Sequence, residues 1–161
     1  MKHKTPSLKF IDGKDRKKLL RKLNEQFGIE NLLGTIIKNK QDQFFIFQGN
    51  YTRKQIRELE QVANIDRIGI YFTSQLNKEF RLSIEGTRIL KDQITKNIVE
   101  LTDQEAETWI MGHEIEKTTN LKGFVIIKYK DEFLGTGKAS ENKITNYIPK
   151  SRRLKDRNVE K

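Results

Sequence analysis

The chain has 161 residues, of which 35% are hydrophobic, enough for the core of one medium domain or of two small ones. It has no cysteine, which excludes disulfides, thiolate metal sites and cysteine nucleophiles. Its 32 cations and 22 anions give a net charge of +10, most of it within residues 1–22 and 122–161, and this excess favours an acidic partner such as a nucleic acid.

The first half of the sequence predicts two helices and two pairs of strands. Residues 14–27 have apolar side chains at helical spacing, and Gly28 is a typical stop. A strand pair joined by a polar turn follows within residues 32–47. Thr52 caps a second helix over residues 53–63. The apolar stripe of this second helix is predicted to comprise Ile56, Leu59, Val62 and Ala63.

The second strand pair is predicted over residues 67–75 and 79–84. In the first of these strands, Ile68, Ile70 and Phe72 alternate and are expected on one face. A short helix or turn then leads out of this half, and we place the boundary between the halves near residues 91–96.

The second half of the sequence predicts one strand, one helix and a meander of three strands. The strand covers residues 97–101, and the helix begins at Thr102 or Asp103 and ends at Gly112. Trp109 is expected in the core, on the stripe of this helix. Three strands follow, within residues 123–130, 132–139 and 143–149. Such a set is too small for a sandwich but suits a compact barrel whose helix plugs one end.

The segment "LGTGKA", residues 134–139, raises the question of a phosphate-binding loop. That loop requires a glycine five residues before its Gly-Lys pair and a hydroxyl directly after it, and here those positions are Glu132 and Ala139. The nucleotide site is therefore rejected. Gly135 and Gly137 instead permit a sharp bend or a close backbone approach within a barrel strand.

The sequence gives little support for a catalytic site or a metal site. The two histidines, His3 and His113, are far apart and form no ligand pair, and no serine has an evident base. We therefore expect a protein that is not an enzyme and holds no metal or cofactor. The apolar runs are also too short to span a bilayer and the start lacks a signal core, so a soluble cytoplasmic protein is expected.

The positive charge near the C-terminus is the most specific functional feature. Pro149 ends strand pairing and is expected to fix the direction in which the basic C-terminal segment leaves the last strand. Five cations follow it: Lys150, Arg152, Arg153, Lys155 and Arg157. Arginines suit bidentate phosphate contacts, and no helix except the N-terminal one has a basic face that could read the DNA major groove, so RNA is preferred. Tyr147, just before this run, could either stack on an unpaired base or pack in the core.

The order of a strand, the helix "DQEAETWIMGHEI", the strand "GFVIIKYKDEF" and "LGTGKA" resembles a PUA domain. The continuation "NKITNYIPKSRRL" resembles the PUA variant of the Nol/Nop/Fmu-type rRNA cytosine methyltransferases and of small archaeal ribosome biogenesis factors. The stretch "IYFTSQLNKEFRLSIEGTRIL" is similar to the junction that precedes the PUA domain in the Nip-type large-subunit assembly factors.

This resemblance implies an α+β protein with a small α/β N-terminal domain at residues 1–93, a PUA-like RNA-binding pseudo-barrel at 94–154 and a basic tail at 155–161. It implies a non-enzymatic factor that acts in ribosome biogenesis or on the ribosome and is a monomer when free. We expect it to bind structured rRNA through the PUA-like domain and through both basic termini. The basic residues that it implies as contacts are Lys138, Lys143, Lys150, Arg152 and Arg153. The alternatives are an RNA-presenting accessory subunit of a modification enzyme, such as an RNA methyltransferase, and a protein-interaction scaffold.

Overall fold

The computed structural model describes residues 4–155, which form two five-stranded sheets and four α-helices. The first sheet belongs to the N-terminal half and the second to the C-terminal half. The fold class is therefore α+β with a C-terminal pseudo-barrel, as predicted.

The N-terminal half is an antiparallel meander with two helices inserted in it. In chain order its elements are β1 (Lys9–Ile11), α1 (Gly13–Phe27), β2 (Thr35–Lys38), β3 (Gln43–Phe47), α2 (Arg53–Val62), β4 (Ile70–Leu76) and β5 (Glu79–Leu82). The strands lie in the sheet in the same order, and each pairs antiparallel with the next. The short strand β1 was not predicted, because the pairing that creates it lies some 25 residues further along the chain, in β2.

The helix boundaries follow the local signals of the sequence. The helix α1 ends at Gly28, which has the left-handed conformation (φ 84°) that favours glycine, and its N–H donates to the Asn24 carbonyl. Thr52 caps α2 and forms a reciprocal capping box with Gln55. Both of these predictions are confirmed.

The predicted apolar stripe of α2 is wrong in part. Ile56 is buried, but Leu59 is 38% exposed and Val62 is 83% exposed. The carboxylate of Glu60 is buried instead, because the backbone N–H groups of Ser7 and Leu8 donate to its Oε1 at 3.0 and 2.9 Å. A buried carboxylate is tolerated where its oxygens are hydrogen-bonded in this way.

The predicted alternation in β4 holds only in part. Ile70 lies opposite the buried Ile46, which belongs to the same hydrophobic cluster as the fully buried Phe72, but Ile70 itself is 49% exposed at the start of the strand. Ile68 precedes β4 and packs against a different cluster. Phe44 and Phe45 are adjacent in β3, yet they pair with Thr73 and Tyr71, so β4 contains a bulge with Phe72 as the extra residue.

The C-terminal half is a curved sheet with one helix packed against its inner face. Its elements, with the helix that precedes it, are α3 (Ile84–Ile89), β6 (Ile98–Glu100), α4 (Asp103–Ile110), β7 (Ile115–Glu116), β8 (Gly123–Tyr129), β9 (Glu132–Ala139) and β10 (Lys143–Asn146). The strand order is β6-β8-β9-β10-β7, with β6 parallel to β8. Strand β7 was not predicted, since only two residues form it. Thr102 caps α4 in a second capping box, with Glu105.

Trp109 of α4 is fully buried, as predicted, among residues of β8, β9 and β10 such as Val125 and Ile144. The two glycines of β9 make room for this packing. Gly135 has a φ of 93° beside a register shift, so the strand bends there. A Cβ on Gly137 would lie 2.6 Å from the Trp109 ring, so the backbone approaches the indole closely. Both predictions for these glycines, a sharp bend of the strand and a close backbone approach, are confirmed.

The other face of the second sheet packs against the N-terminal half. Phe124 and Ile126 of β8 lie in one buried cluster with Leu23 and Phe27 of α1. The two sheets therefore share a hydrophobic core. The domain boundary at residues 93 and 94 stays a prediction.

Within residues 4–155, none of the helices combines the length and the apolar character that crossing a membrane requires.

Candidate nucleic-acid interface

The lysine of the glycine-rich segment lies on a basic and aromatic surface where the two sheets meet. Lys138 is exposed on β9, opposite Phe124 of β8, and its Nζ lies 5.4 Å from the Phe124 ring centre. The Tyr147 ring meets the same phenylalanine edge-on at 5.5 Å. The guanidinium of Arg81 from β5 lies 5.0 Å from the Tyr147 ring centre. We call Arg81, Phe124, Lys138 and Tyr147 the junction surface.

Arg81 was not among the predicted site residues, although the sequence contains a signal for it. Phe80 and Leu82 on either side are buried, so alternation along β5 places Arg81 on the opposite face. What the sequence lacks is the contact with Tyr147, which lies 66 residues later in the chain.

Tyr147 packs against the core, which is one of the two alternatives that the sequence left open, and stacking on an unpaired base stays a prediction. Its ring is half-buried and packs against the shared core, and it also holds a cation over its face. A guanidinium held over an aromatic ring is attracted by the ring quadrupole, which restricts its orientation. A base approaching this surface would meet the Arg81 plane, and such planes stack on unpaired bases in RNA complexes.

The described part of the predicted basic tail folds back onto the protein after Pro149. Residues Lys150–Arg152 form a 3-10 turn, in which the Arg152 N–H donates to the Pro149 carbonyl at 2.8 Å. The Arg153 Nε donates to the Ile148 carbonyl at 2.9 Å. The Leu154 N–H then donates to the carbonyl of Ile110 at the end of α4, also at 2.9 Å. The chain is thus tied to α4 and does not project from the barrel at this point.

Two of the predicted contact arginines are therefore engaged within the protein. Arg152 forms an ion pair and hydrogen bond with Glu85 of α3. Arg153 lies against Gly112, where a Cβ would be 2.2 Å from the Arg153 Cδ. Lys150 and Lys155 are exposed, and Arg157 lies outside the described residues.

Lys143 is exposed on β10, at the end of the strand away from Tyr147. Its Nζ lies 3.3 Å from a Glu114 carboxylate oxygen, and its cross-strand neighbour on β7 is Glu116. The structure therefore groups Lys138 and Tyr147, while Lys143 lies among carboxylates.

A cleft of about 100 Å³ adjoins the junction surface and connects it to the C-terminal turn. Arg81 and Tyr147 line one part of it, and Glu85, Pro149 and Arg152 line another. The hydrogen bond from Arg152 lowers the pKa of Glu85 below its ordinary value, although burial opposes this shift. Glu85 is therefore ionised near neutral pH, and it neutralises one arginine of a surface that is otherwise positive.

Comparison with known proteins identifies the segment that contains most of these residues. Residues 96–154 match a family model described as the PUA domain of methyltransferase RsmF. This segment is a PUA-like domain related to the Fmu/Nop rRNA methyltransferases. The resemblance to that PUA variant is confirmed. The likeness of residues 70–90 to the Nip-type assembly factors stays a prediction.

Three bacterial relatives show how far the similarity extends beyond the PUA-like domain. Each is named ribosomal RNA small subunit methyltransferase F. The protein of Aeromonas salmonicida is 25% identical over 144 residues, which is 87% of this chain and 28% of the relative. That of Shewanella loihica is 28% identical over 142 residues, again 87% of this chain and 28% of the relative. That of Aliivibrio fischeri is 29% identical over 97 residues, 60% of this chain and 20% of the relative.

The chain thus spans less than a third of the length of these relatives, and two of the matches include much of its N-terminal half. The archaeal origin that the resemblance implied is not confirmed, since the named relatives are bacterial.

Glu105, a carboxylate of the PUA-like domain with a perturbed pKa, has a structural partner. Burial would raise the pKa of Glu105, but the hydrogen bond from the Thr102 N–H and the Lys117 ammonium at 3.0 Å lower it below its ordinary value. This carboxylate caps α4 and is already paired, so it is poorly placed to transfer protons. Among residues 4–155, no three His, Asp or Glu side chains group in a way that could hold a metal ion.

Proposed function

We propose that the chain is a non-catalytic RNA-binding protein that contacts ribosomal RNA through its PUA-like domain, during ribosome assembly or on the ribosome. The observation that carries the proposal is the match of residues 96–154 to a family model of the PUA domain of methyltransferase RsmF. The relatives of this chain are named as methyltransferases of small-subunit ribosomal RNA. The proposed location is the cytoplasm, and the proposed partners are rRNA and pre-ribosomal particles.

The junction surface supports this proposal by its chemistry. Arg81 and Lys138 supply positive charge beside the half-buried Tyr147 ring and the buried Phe124 ring, and positive charge next to a partly accessible aromatic ring suits backbone and base contacts with RNA. Lys150 and Lys155 continue the positive charge past the cleft. Arg81 and Lys138 extend from different sheets that share one core, so their spacing is fixed before RNA binds.

RNA binding through phosphate contacts makes a quantitative prediction about salt. Log Kd against log salt should be linear, with a slope that reports the number of neutralised phosphates. The test measures binding of a small-subunit rRNA fragment by fluorescence anisotropy at several salt concentrations. Lys138→Gln with Lys150→Gln should weaken binding and lower the slope by about 2, close to one per lysine.

The matched control is Lys40→Gln with Lys54→Gln, which removes two exposed lysines of the N-terminal half. This control should change the slope little. Equal losses in the two double variants would contradict an interface on the PUA-like domain. Co-sedimentation of the intact chain with pre-ribosomal particles would then separate an assembly factor from a protein that binds RNA elsewhere.

A second candidate function, an accessory subunit that presents RNA to a methyltransferase, is supported by an apolar groove. Leu33, Ile70 and Ile89 line this groove of about 310 Å³ and are 66%, 49% and 47% exposed. Exposed apolar groups of this size are typical of interaction surfaces. The relatives have about three-quarters of their length outside the match, so a methyltransferase domain is the proposed occupant.

This second candidate is tested with the non-matching part of the Aeromonas salmonicida protein as the binding partner. Ile70→Ser should abolish a complex observed by calorimetry, while Val62→Ser, which changes an 83% exposed valine elsewhere, should leave it intact. Absence of any complex with the unmodified chain would reject the accessory-subunit function.

A further inference from the structure

A second positively charged site lies in the N-terminal half, outside the segment that matches the PUA model. A cleft of about 170 Å³ opens between α1 and the first sheet. Four lysines line it: Lys9, Lys18, Lys22 and Lys38. Its floor includes the buried rings of Phe44 and Phe80. We call this site the lysine cleft.

The lysines are arranged in two pairs of like charges. Lys9 of β1 lies directly opposite Lys38 of β2 in the antiparallel register, and like charges at such positions destabilise a sheet. Lys18 and Lys22 are four residues apart on α1, the spacing at which like charges destabilise a helix. The fold therefore brings together two unfavourable pairs at one cleft.

The nearby carboxylates compensate for only one of these pairs. An Asp15 oxygen lies 3.4 Å from the Lys9 Nζ, and an Asp42 oxygen lies 2.9 Å from the Lys38 Nζ. Lys18 and Lys22 have no carboxylate oxygen within 4.0 Å among residues 4–155. Lys22 is also half-buried, which strengthens its field relative to a fully solvated lysine. Two positive charges thus remain uncompensated at the cleft.

We propose that the lysine cleft binds phosphate groups of an RNA backbone, and so forms a second contact that acts together with the PUA-like domain. An anion in the cleft would relieve the repulsion between Lys18 and Lys22, and lysine binds phosphate as a point charge. This inference rests on the proposed RNA-binding function. It assigns RNA contact to a part of the chain that the PUA-domain model does not cover.

An RNA backbone fits this site better than a free phosphate compound. The aromatic side chains of the floor are only 3–4% exposed, so they offer no face for stacking a nucleotide base. Further exposed lysines of α1, Lys14 and Lys17, continue the positive charge beyond the cleft. A continuous row of phosphates can use such an extended surface, whereas a small compound would use the cleft alone.

The test compares two double variants in the full chain. Lys18→Gln with Lys22→Gln removes the uncompensated charges of the cleft, while Lys40→Gln with Lys54→Gln removes two exposed lysines of the N-terminal half that do not line it. Glutamine and lysine have similar helix propensities, and circular dichroism checks that α1 is retained. The cleft variant should lower the salt slope of RNA binding by about 2, and the control variant by clearly less.

A second measurement separates failure of this inference from failure of the proposed function. Backbone NMR shifts of the unmodified chain are followed during titration with the rRNA fragment and, separately, with inorganic pyrophosphate. Support requires saturable shifts at Lys18, Lys22 and Lys38 with RNA. RNA binding that shifts only residues of the PUA-like domain, or equal effects of the two double variants, would overturn the inference and leave the proposed function standing.

Two further outcomes complete the test. If the full chain binds no RNA but pyrophosphate shifts the cleft residues saturably, the proposed function fails and the RNA assignment of the cleft fails with it, in favour of a free phosphate compound. If neither titrant produces shifts at the cleft, the cleft is not an anion site and the inference is rejected.

Discussion

Replacing Glu85 by glutamine should strengthen RNA binding, because Glu85 competes with phosphate for Arg152. The two side chains are 43% and 42% exposed, so their ion pair lies largely in water. Exposed pairs of this kind are worth at most about 1 kcal/mol. Freeing Arg152 should therefore tighten Kd by no more than roughly fivefold, and one added phosphate contact should raise the salt slope by about 1.

The assay is fluorescence anisotropy with the same rRNA fragment, performed as a double-mutant cycle. The cycle compares the unmodified chain, Glu85→Gln, Arg152→Gln and the combination of the two. Glu107→Gln is the matched control, because it makes the same charge change at an exposed residue of α4. The gain from Glu85→Gln should exceed that from Glu107→Gln and should vanish when Arg152 is already replaced.

A gain that persists without Arg152 would show that net charge alone explains it, and the reasoning would fail. A loss of affinity in Glu85→Gln would refute the reasoning in another way. It would mean that the ion pair holds the C-terminal turn in its binding conformation and that Arg152 acts by positioning that turn.

Three further substitutions test the packing and the electrostatics of the fold. Gly137→Ala should destabilise the protein by about 2 kcal/mol in urea unfolding, since the new methyl group would overlap the Trp109 ring; an unchanged midpoint would contradict the close approach. Burial would raise the pKa of Glu60, but its hydrogen bonds lower the pKa below the ordinary value. The ionised Glu60 carboxylate therefore stabilises the folded protein above about pH 4.3, the ordinary pKa of the unfolded chain, and this stabilisation is lost as pH falls through the lower pKa of the folded protein. Glu60→Gln should thus cost about 1–2 kcal/mol at pH 7 and progressively less in urea titrations below pH 4. Lys18→Gln with Lys22→Gln should stabilise the free protein by about 0.2–0.5 kcal/mol at low salt, and a lower melting temperature without anions would contradict the repulsion.

The elements that the sequence predicts well are those set by neighbouring residues. Gly28 ends α1 and Thr102 caps α4, because a left-handed glycine and a hydroxyl with a glutamate three residues later act within one helical turn. The close approach at Gly137 was also predictable, because only glycine permits a backbone to pass so near another group.

The predictions that fail depend on residues far apart in the chain. The burial of Glu60 requires the N–H groups of Ser7 and Leu8, which lie 53 and 52 residues away. The bulge at Phe72 depends on the pairing of β4 with β3. No periodicity within a single segment reports such contacts.

The residues of the candidate site were likewise predicted only in part, and the missing ones depend on contacts between distant residues. The sequence identified Lys138 beside the glycines of a bent strand and Tyr147 just before the basic run, but Arg81 joins them only through the contact between sheets. The same limit applies to Arg152, whose charge was visible and whose partner Glu85 was not, since 67 residues separate them.

The shared core bears on how such a module could be transferred between proteins. A fragment cut at the limits of the PUA-family match would keep Phe124 and Ile126 but lose the residues of α1 that cover them. Such a fragment would expose an apolar face and tend to aggregate. Gene fusion or engineering that moves the PUA-like domain therefore has to carry the N-terminal helix and sheet with it, or supply another surface to cover those side chains.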